Sequence, residues 1–169
     1  VVVAEARRTL TLLSLHGYRV DGVVANRVFP DGDALLDGWR AGWVEAQREQ
    51  LEEVAVSFPG LPIWRSAYAA AEPVGLAALA ELAAQSYVDD DPFAVVSTPD
   101  PLIVERISSD EFVMSVALPH AERRDVELVR KGDDLVLTVC SHRRSLALPS
   151  ALQRCVGEGA ALRDGRLRV

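Results

Sequence analysis

The sequence predicts an α/β segment followed by an all-β segment, and three observations carry that division. Upstream, apolar residues fall in helical stripes and short continuous runs, whereas downstream they alternate with polar ones. Between the two lies Asp89-Asp90-Asp91-Pro92 through Thr98-Pro99-Asp100-Pro101, with the acid and proline content of a linker. The net charge of −7 resides wholly in residues 1–92, because acids and bases balance in residues 93–169. The expected organisation is therefore an α/β part over 1–88, a linker over 89–101 and an antiparallel β-sandwich over 102–169.

The elements follow in order. Ala4, Leu12, Leu13 and Leu15 sit among good helix formers that end at His16-Gly17, a C-cap signal. Val20 to Asn26 is a short β-rich stretch whose apolar Val23, Val24 and Ala25 suit a strand covered on both faces. After Phe29-Pro30-Asp31-Gly32, Asp33 is placed to cap a helix with apolar positions Leu36, Trp39, Trp43, Ala46, Leu51 and Val54, and with Arg48 and Glu52 one turn apart outside. Val54 to Phe58 and Leu61 to Trp64 read as a second apolar segment broken by Pro59-Gly60, and Pro73 opens an Ala- and Leu-rich helix running to Tyr87. Helix, buried strand, helix, buried strand, helix is the order of a parallel α/β sheet. Beyond the linker, Phe112 to Leu118, Leu135 to Cys140 and Ser145 to Leu148 alternate with period two. Turn residues separate them at Ser108-Ser109-Asp110, Pro119-His120, Lys131-Gly132-Asp133 and Asp164-Gly165. A sandwich of this size is small and is expected to lean on the first half or on a partner.

Composition excludes several functions. At 49% apolar and 25% charged, the chain is ordinary globular protein, and no apolar run reaches the length of a membrane span. The negative charge disfavours nucleic acid, and two cysteines, Cys140 and Cys155, suit a reducing cytoplasm and make no zinc set. There are 17 arginines but one lysine, Lys131, flanked by Arg130 and Gly132. A phosphate-cradling loop needs Gly-Lys followed by Ser or Thr, so none exists here. The chain opens at Val1-Val2-Val3-Ala4 without Met or a capping residue, which suggests an upstream portion, and no export signal is visible.

No residue set proposes itself as catalytic or metal-binding. His16, His120 and His142 lack carboxylate, Cys or His partners at ligand or triad spacing and read as cap, turn and hairpin residues. Cys140 and Cys155 read as buried free thiols, the Asp89–Asp91 run as solvated linker, and Trp39 with Trp43 as sheet-packing residues or a partner surface. Asn26 stands out, because ligands of open α/β sheets bind at strand carboxyl ends and an amide both donates to and accepts from a purine edge. Asn is equally a turn residue there. Pro62 offers a flat apolar wall.

These residues resemble a known family. Glu5-Ala6-Arg7-Arg8, Gly17, Val20, Val23-Val24-Ala25-Asn26, Leu61-Pro62-Ile63 and Glu72-Pro73-Val74-Gly75-Leu76 occur in the order seen in the C-terminal part of ArsA-like ATPases, which comprise arsenical pump-driving ATPases and targeting factors for tail-anchored membrane proteins. The resemblance implies a P-loop NTPase-type sheet, adenine contact by Asn26 and a pocket wall from Pro62. Glu5 and Arg8 match a family pair and also fit a helix-surface ion pair. Where the targeting factors carry a Cys-x-x-Cys zinc motif, this chain reads Asp31-Gly32-Asp33-Ala34, so zinc-bridged dimerisation is disfavoured.

The second half resembles an α-crystallin, or small heat-shock protein, domain. The carriers are Phe112 to Pro119, Asp125-Val126-Glu127-Leu128, Gly132 to Val139, Arg143-Arg144, Leu146-Ala147-Leu148-Pro149 and Asp164 to Val169. The hairpin at Ser141-His142 is short where those chaperones have a long dimerising loop, so large oligomers are not implied.

Together the resemblances imply the C-terminal portion of a cytoplasmic ArsA-like ATPase, using ATP and Mg²⁺ in the complete protein and inactive alone. The implied partners are the N-terminal ATPase portion, a second copy in a homodimer, and a protein client on the sandwich. Nucleic acid is not a partner, and the protein is not integral to a membrane although a membrane partner fits. The alternative is a stand-alone small heat-shock-like binding module without ATPase activity.

Overall fold

The computed structural model describes residues 1–30, 38–94 and 99–169. It contains two compact units, one made of Val1–Val20 with Pro99–Val169 and the other of Asp21–Thr98.

In the Asp21–Thr98 unit, strands β1 (Val23–Val28) and β2 (Ile63–Ala67) pair in parallel, with helix α2 (Gly38–Ser57) between them in sequence and helix α3 (Gly75–Tyr87) after them. Trp64 organises this unit. Its indole donates to the Asp90 carboxylate at 3.0 Å and meets the Tyr87 ring edge-on at 5.2 Å, so β2, the end of α3 and the start of the acidic stretch share one anchor. The half-buried residues of α3, Ala78, Leu82, Ala83, Ser86 and Tyr87, fall on one stripe at helical spacing, and α3 packs on β2. Leu76, on another side of α3, is 88% exposed.

Three expectations change here. Val54 to Ser57 is the last turn of α2 and not a strand, because the helix-forming run through Glu52, Glu53 and Ala55 continues until Pro59-Gly60, where Gly60 takes φ +80°. Helix α3 begins at Gly75, two residues beyond Pro73. Strand β1 is not covered on both faces: β2 is its one strand neighbour among the described residues, and Val24 is 48% exposed. The cap expected at Asp33 and the apolar position Leu36 lie outside the described residues.

In the other unit, two antiparallel sheets face each other. One has strand order β3-β4-β9-β8, from Leu102–Arg106, Phe112–Ala117, Arg166–Arg168 and Ala161–Arg163; the other runs β5-β6-β7, from Val126–Lys131, Asp134–Val139 and His142–Ala147. The alternating positions Met114 and Val116, Leu135, Leu137 and Val139, Leu146 and Leu148 form the core with Leu118, Leu152 and Leu167. Asp164 and Gly165 both have positive φ, the backbone of a type I′ hairpin, and join β8 to β9. Cys140 is a correction: it leaves the alternation, occupies the β6–β7 turn at φ 53° and is exposed.

The sandwich is completed by helix α1 (Val2–Leu15), whose buried positions Val3, Thr11, Ser14 and Leu15 form one stripe. Leu15 is fully buried within the same core cluster as Val116, Leu118 and Leu137, and Leu12 packs against it. Thus a small sandwich gains apolar burial from the start of the chain. Truncating Leu15 to Ala should cost about 2–5 kcal/mol of unfolding free energy in urea titration, whereas Leu76→Ala, on an exposed face, should change it by less than about 0.5 kcal/mol. Equal effects of the two would contradict this core.

Candidate functional site

Strand β1 keeps register with β2 through Val23, Val24 and Ala25, opposite Ile63, Trp64 and Arg65, and regains it at Val28 opposite Ala67. The interval holds Asn26 and Arg27 on β1 against Ser66 on β2, so β1 carries one extra residue, a bulge. Arg27 absorbs it at φ 60°, a left-handed backbone that costs a residue with a Cβ about 1–2 kcal/mol. The strand therefore does not end at Asn26 as its sequence suggests; it bends there.

Contacts beyond the bulge hold it in place. The Tyr68 amide donates to the Val28 carbonyl at 2.9 Å. Gln47 on α2 brackets Phe29: its side-chain oxygen accepts from the Phe29 amide at 2.8 Å, and its NH₂ donates to the Phe29 carbonyl at 3.1 Å. The Phe29 and Tyr68 rings stack, 5.2 Å apart and 25° from parallel. Such over-determination is what sustains strained backbone at a binding site. Asn26 is left exposed, and its amide makes no hydrogen bond among the described residues. Donor and acceptor are both available to a ligand at the carboxyl half of a parallel strand pair.

Pro62 stands elsewhere. It precedes β2, and its carbonyl accepts from the Val23 amide at 2.9 Å, at the amino ends of both strands. Three residues of strand, about 10 Å, separate that level from Asn26. The structure does not bring these two together; among the described residues, Phe29, Tyr68 and Gln47 are side chains near the carboxyl end. Gly22 lies at the amino end, where an added Cβ would come within 2.2 Å of the Trp64 ring.

The remaining sequence candidates are placed as follows. His16 follows the last turn of α1, His120 takes φ 62°, and His142 opens β7 beside Ser141 at 3.3 Å. Cys155 is partly exposed, with its thiol directed to the Ala151 carbonyl. Trp43 is 62% exposed, and the side chain of Trp39 lies outside the described residues. Glu5 and Arg8 form a surface ion pair at 2.8 Å. The Asp31-Gly32-Asp33-Ala34 segment falls outside the described residues, and among the described ones no three His, Cys, Asp or Glu side chains converge to hold a metal.

Residues 1–88 match the sequence profile described as anion-transporting ATPase. The chain belongs to the anion-transporting ATPase family. Residues 109–169 match the profile described as an HSP20-like domain found in ArsA, in agreement with an α/β segment followed by a sandwich. Among relatives, the uncharacterized protein SCO2128 of Streptomyces coelicolor is 41% identical across 98% of this chain and 41% of its own length. Protein Rv2184c of Mycobacterium tuberculosis is 31% identical across 100% of this chain and 43% of its own. A protein of Aquifex aeolicus named "Putative arsenical pump-driving ATPase 1" is 23% identical, again across 100% of this chain and 43% of its own. This ATPase-family chain thus spans about two fifths of the length of the curated relatives it matches. No helix among the described residues is long and apolar enough to cross a membrane.

The two ends of β1 should respond differently to substitution. Gly22→Ala should destabilise the fold by about 1–3 kcal/mol, the cost of overpacking against the Trp64 ring, while Asn26→Ala should leave the unfolding free energy from urea titration within about 0.5 kcal/mol of wild type. A large stability loss from Asn26→Ala would make Asn26 a structural residue.

Proposed function

We propose that this chain supplies the base-side nucleotide contact and a protein-binding sandwich to a cytoplasmic ATPase that, when complete, hydrolyses ATP with Mg²⁺ in anion transport or protein targeting. The observation that carries the reading is Asn26: an exposed side-chain amide without a hydrogen-bond partner among the described residues, at the carboxyl half of a parallel strand that bulges there. Its donor and acceptor match the edge of adenine. The wall assigned by resemblance to Pro62 sits at the far strand end, so Asn26 carries the recognition here.

Fit to the rest of the nucleotide is one-sided. The chain's single lysine, Lys131, lies at the end of β5 in the sandwich, and no Gly-Lys-Ser or Gly-Lys-Thr occurs. Phosphoryl transfer needs a positioned phosphate cradle and a Mg²⁺ site around the γ-phosphate. When bound, Mg²⁺ neutralises developing phosphate charge; the residues that would hold it belong to the N-terminal ATPase portion, the partner this reading requires. What this chain does is orient the base. By itself it is inactive as a hydrolase. Homodimerisation, action beside a membrane partner and client contact through the sandwich belong to the same reading.

One observation favours the second reading, a stand-alone small heat-shock-like module. A cleft of about 520 Å³ in the sandwich is lined by Phe112, Met114, Leu128, Leu135 and Leu152, an apolar floor suited to an extended segment of another protein. Suppression of client aggregation by the 169-residue chain, with no nucleotide effect in the full-length protein, would favour it.

The test of the first reading is nucleotide affinity in the full-length ATPase. Asn26→Ala should weaken ATP binding by about 1–3 kcal/mol, the cost of losing a hydrogen-bonding partner in a buried complex. Equal affinity for variant and wild type contradicts the assignment.

A further inference from the structure

The extra residue in β1 decides which side chains meet at the carboxyl end of the strand pair. Paired residues of a ladder point to the same face, and the face alternates along each strand. Trp64 meets Tyr87 of α3, whereas Arg65 lines a small cleft with Gln47 and Leu51 of α2, so successive β2 residues face α3 and α2 in turn. Val24, the partner of Trp64, lies on the α3 face, and alternation keeps Asn26 there. An unbroken strand would then send Phe29 to the α2 face. The bulge shifts the phase by one: Val28 pairs with Ala67 on the α2 face, and Phe29 comes over to stack on Tyr68. Asn26, Phe29 and Tyr68 are thereby gathered on one face of the sheet, which is what the left-handed backbone at Arg27 achieves. Helix α3 packs on β2, and Val24 is exposed, so among the described residues this face is open above β1.

Tyr68 is 54% exposed although one side of its ring rests on Phe29. Phe29 in turn is fixed by its backbone, since Gln47 on α2 holds both of its polar groups. The pair forms an aromatic shelf with one outward ring face. Asn26 stands opposite Ser66, two residues before Tyr68, so one strand spacing and two residues of rise set it about 8 Å from the shelf. A flat heteroaromatic ring lying on Tyr68 reaches the Asn26 amide with its edge. An apolar protein segment in the same place would bury that amide with neither of its groups satisfied, which is costly. A base satisfies both groups while it stacks. Adenine suits the arrangement, because an asparagine amide accepts from its N6 amino group and donates to N7 at once.

We propose that Tyr68, backed by Phe29, is the stacking platform of the nucleotide site, and that it selects purine over pyrimidine bases by the larger ring surface it covers. The proposal rests on the nucleotide reading of Asn26 and supplies the flat wall that Pro62, at the other ends of the strands, does not provide.

The experiment uses the full-length ATPase and measures affinity for ATP, CTP and inorganic tripolyphosphate, which has no base. Tyr68→Leu removes the aromatic face but keeps apolar bulk against Phe29, Tyr68→Phe keeps the ring, and Asn26→Ala removes the amide. Tyr68→Leu should weaken ATP binding by about five-fold or more, narrow the preference for ATP over CTP, and leave tripolyphosphate binding unchanged. Tyr68→Phe should bind ATP as wild type does. Wild-type ATP affinity in Tyr68→Leu, alongside weakened binding in Asn26→Ala, overturns the platform and leaves the Asn26 reading intact. Equal losses of ATP and tripolyphosphate in Tyr68→Leu also overturn it, since they mark a residue that holds the fold and not the base. Absence of ATP binding by the wild-type protein, or ATP affinity unchanged in both Asn26→Ala and Tyr68→Leu, removes the nucleotide reading and the platform together. If Tyr68→Leu does not fold, Tyr68→Met takes its place, because a flexible thioether fills the same gap without a ring.

Discussion

Burial of Leu15 in the sandwich, with Arg144 closing the end of its helix, is the contact on which the larger unit depends. A domain of two short sheets encloses little apolar surface for its length, and α1 adds a stripe of residues to that surface. At the end of the helix one guanidinium donates to the Leu15 carbonyl and lies close over Gly17, where an added Cβ would crowd it. A segment of ATPase descent is consequently part of a chaperone-like fold, so its ends in evolution and its ends in packing differ.

The Asp21–Thr98 unit solves a different problem. Its two parallel strands are short, and Trp64 ties them to α3 and to Asp90 through an edge-on ring contact and one hydrogen bond. At the opposite strand ends, Gln47 grips both polar groups of Phe29, and Tyr68 stacks on its ring. These contacts flank the left-handed backbone at Arg27, and Asn26 beside it is exposed and without a hydrogen-bond partner among the described residues. Val24 and Leu76 are apolar side chains that the described residues leave 48% and 88% exposed, in a chain that spans about two fifths of its relatives.

Much of this was legible in the sequence, and for physical reasons. Alternation at Met114, Val116, Leu135 and Leu137 maps onto one face of each strand because side-chain direction has period two. Gly17, Gly132 and the Asp164-Gly165 pair mark turns because their backbones take positive φ. Asn26 was conspicuous as a polar residue closing an apolar run. The rest depended on distant contacts. The αL residue in the β1 bulge is an arginine, which carries no turn signal, so the sequence marks the strand end at Asn26 while the strand runs to Val28. Val54 to Ser57 has strand-like valines, but the preceding helix extends through them. Phe29, Tyr68 and Gln47 meet only through pairing of β1 with β2 and packing of α2, and nothing local announces them. Arg144 lies 129 residues from the carbonyl it binds, beyond the reach of any periodicity.

The most direct test of the account is native-state hydrogen exchange of the 169-residue chain in increasing urea. If α1 is an integral part of the sandwich, the Ser14 and Leu15 amides open with the same free energy and urea dependence as those of Val116 and Leu137. Exchange of the α1 amides by local fraying, while the β4 and β6 amides remain protected to global unfolding, would contradict it.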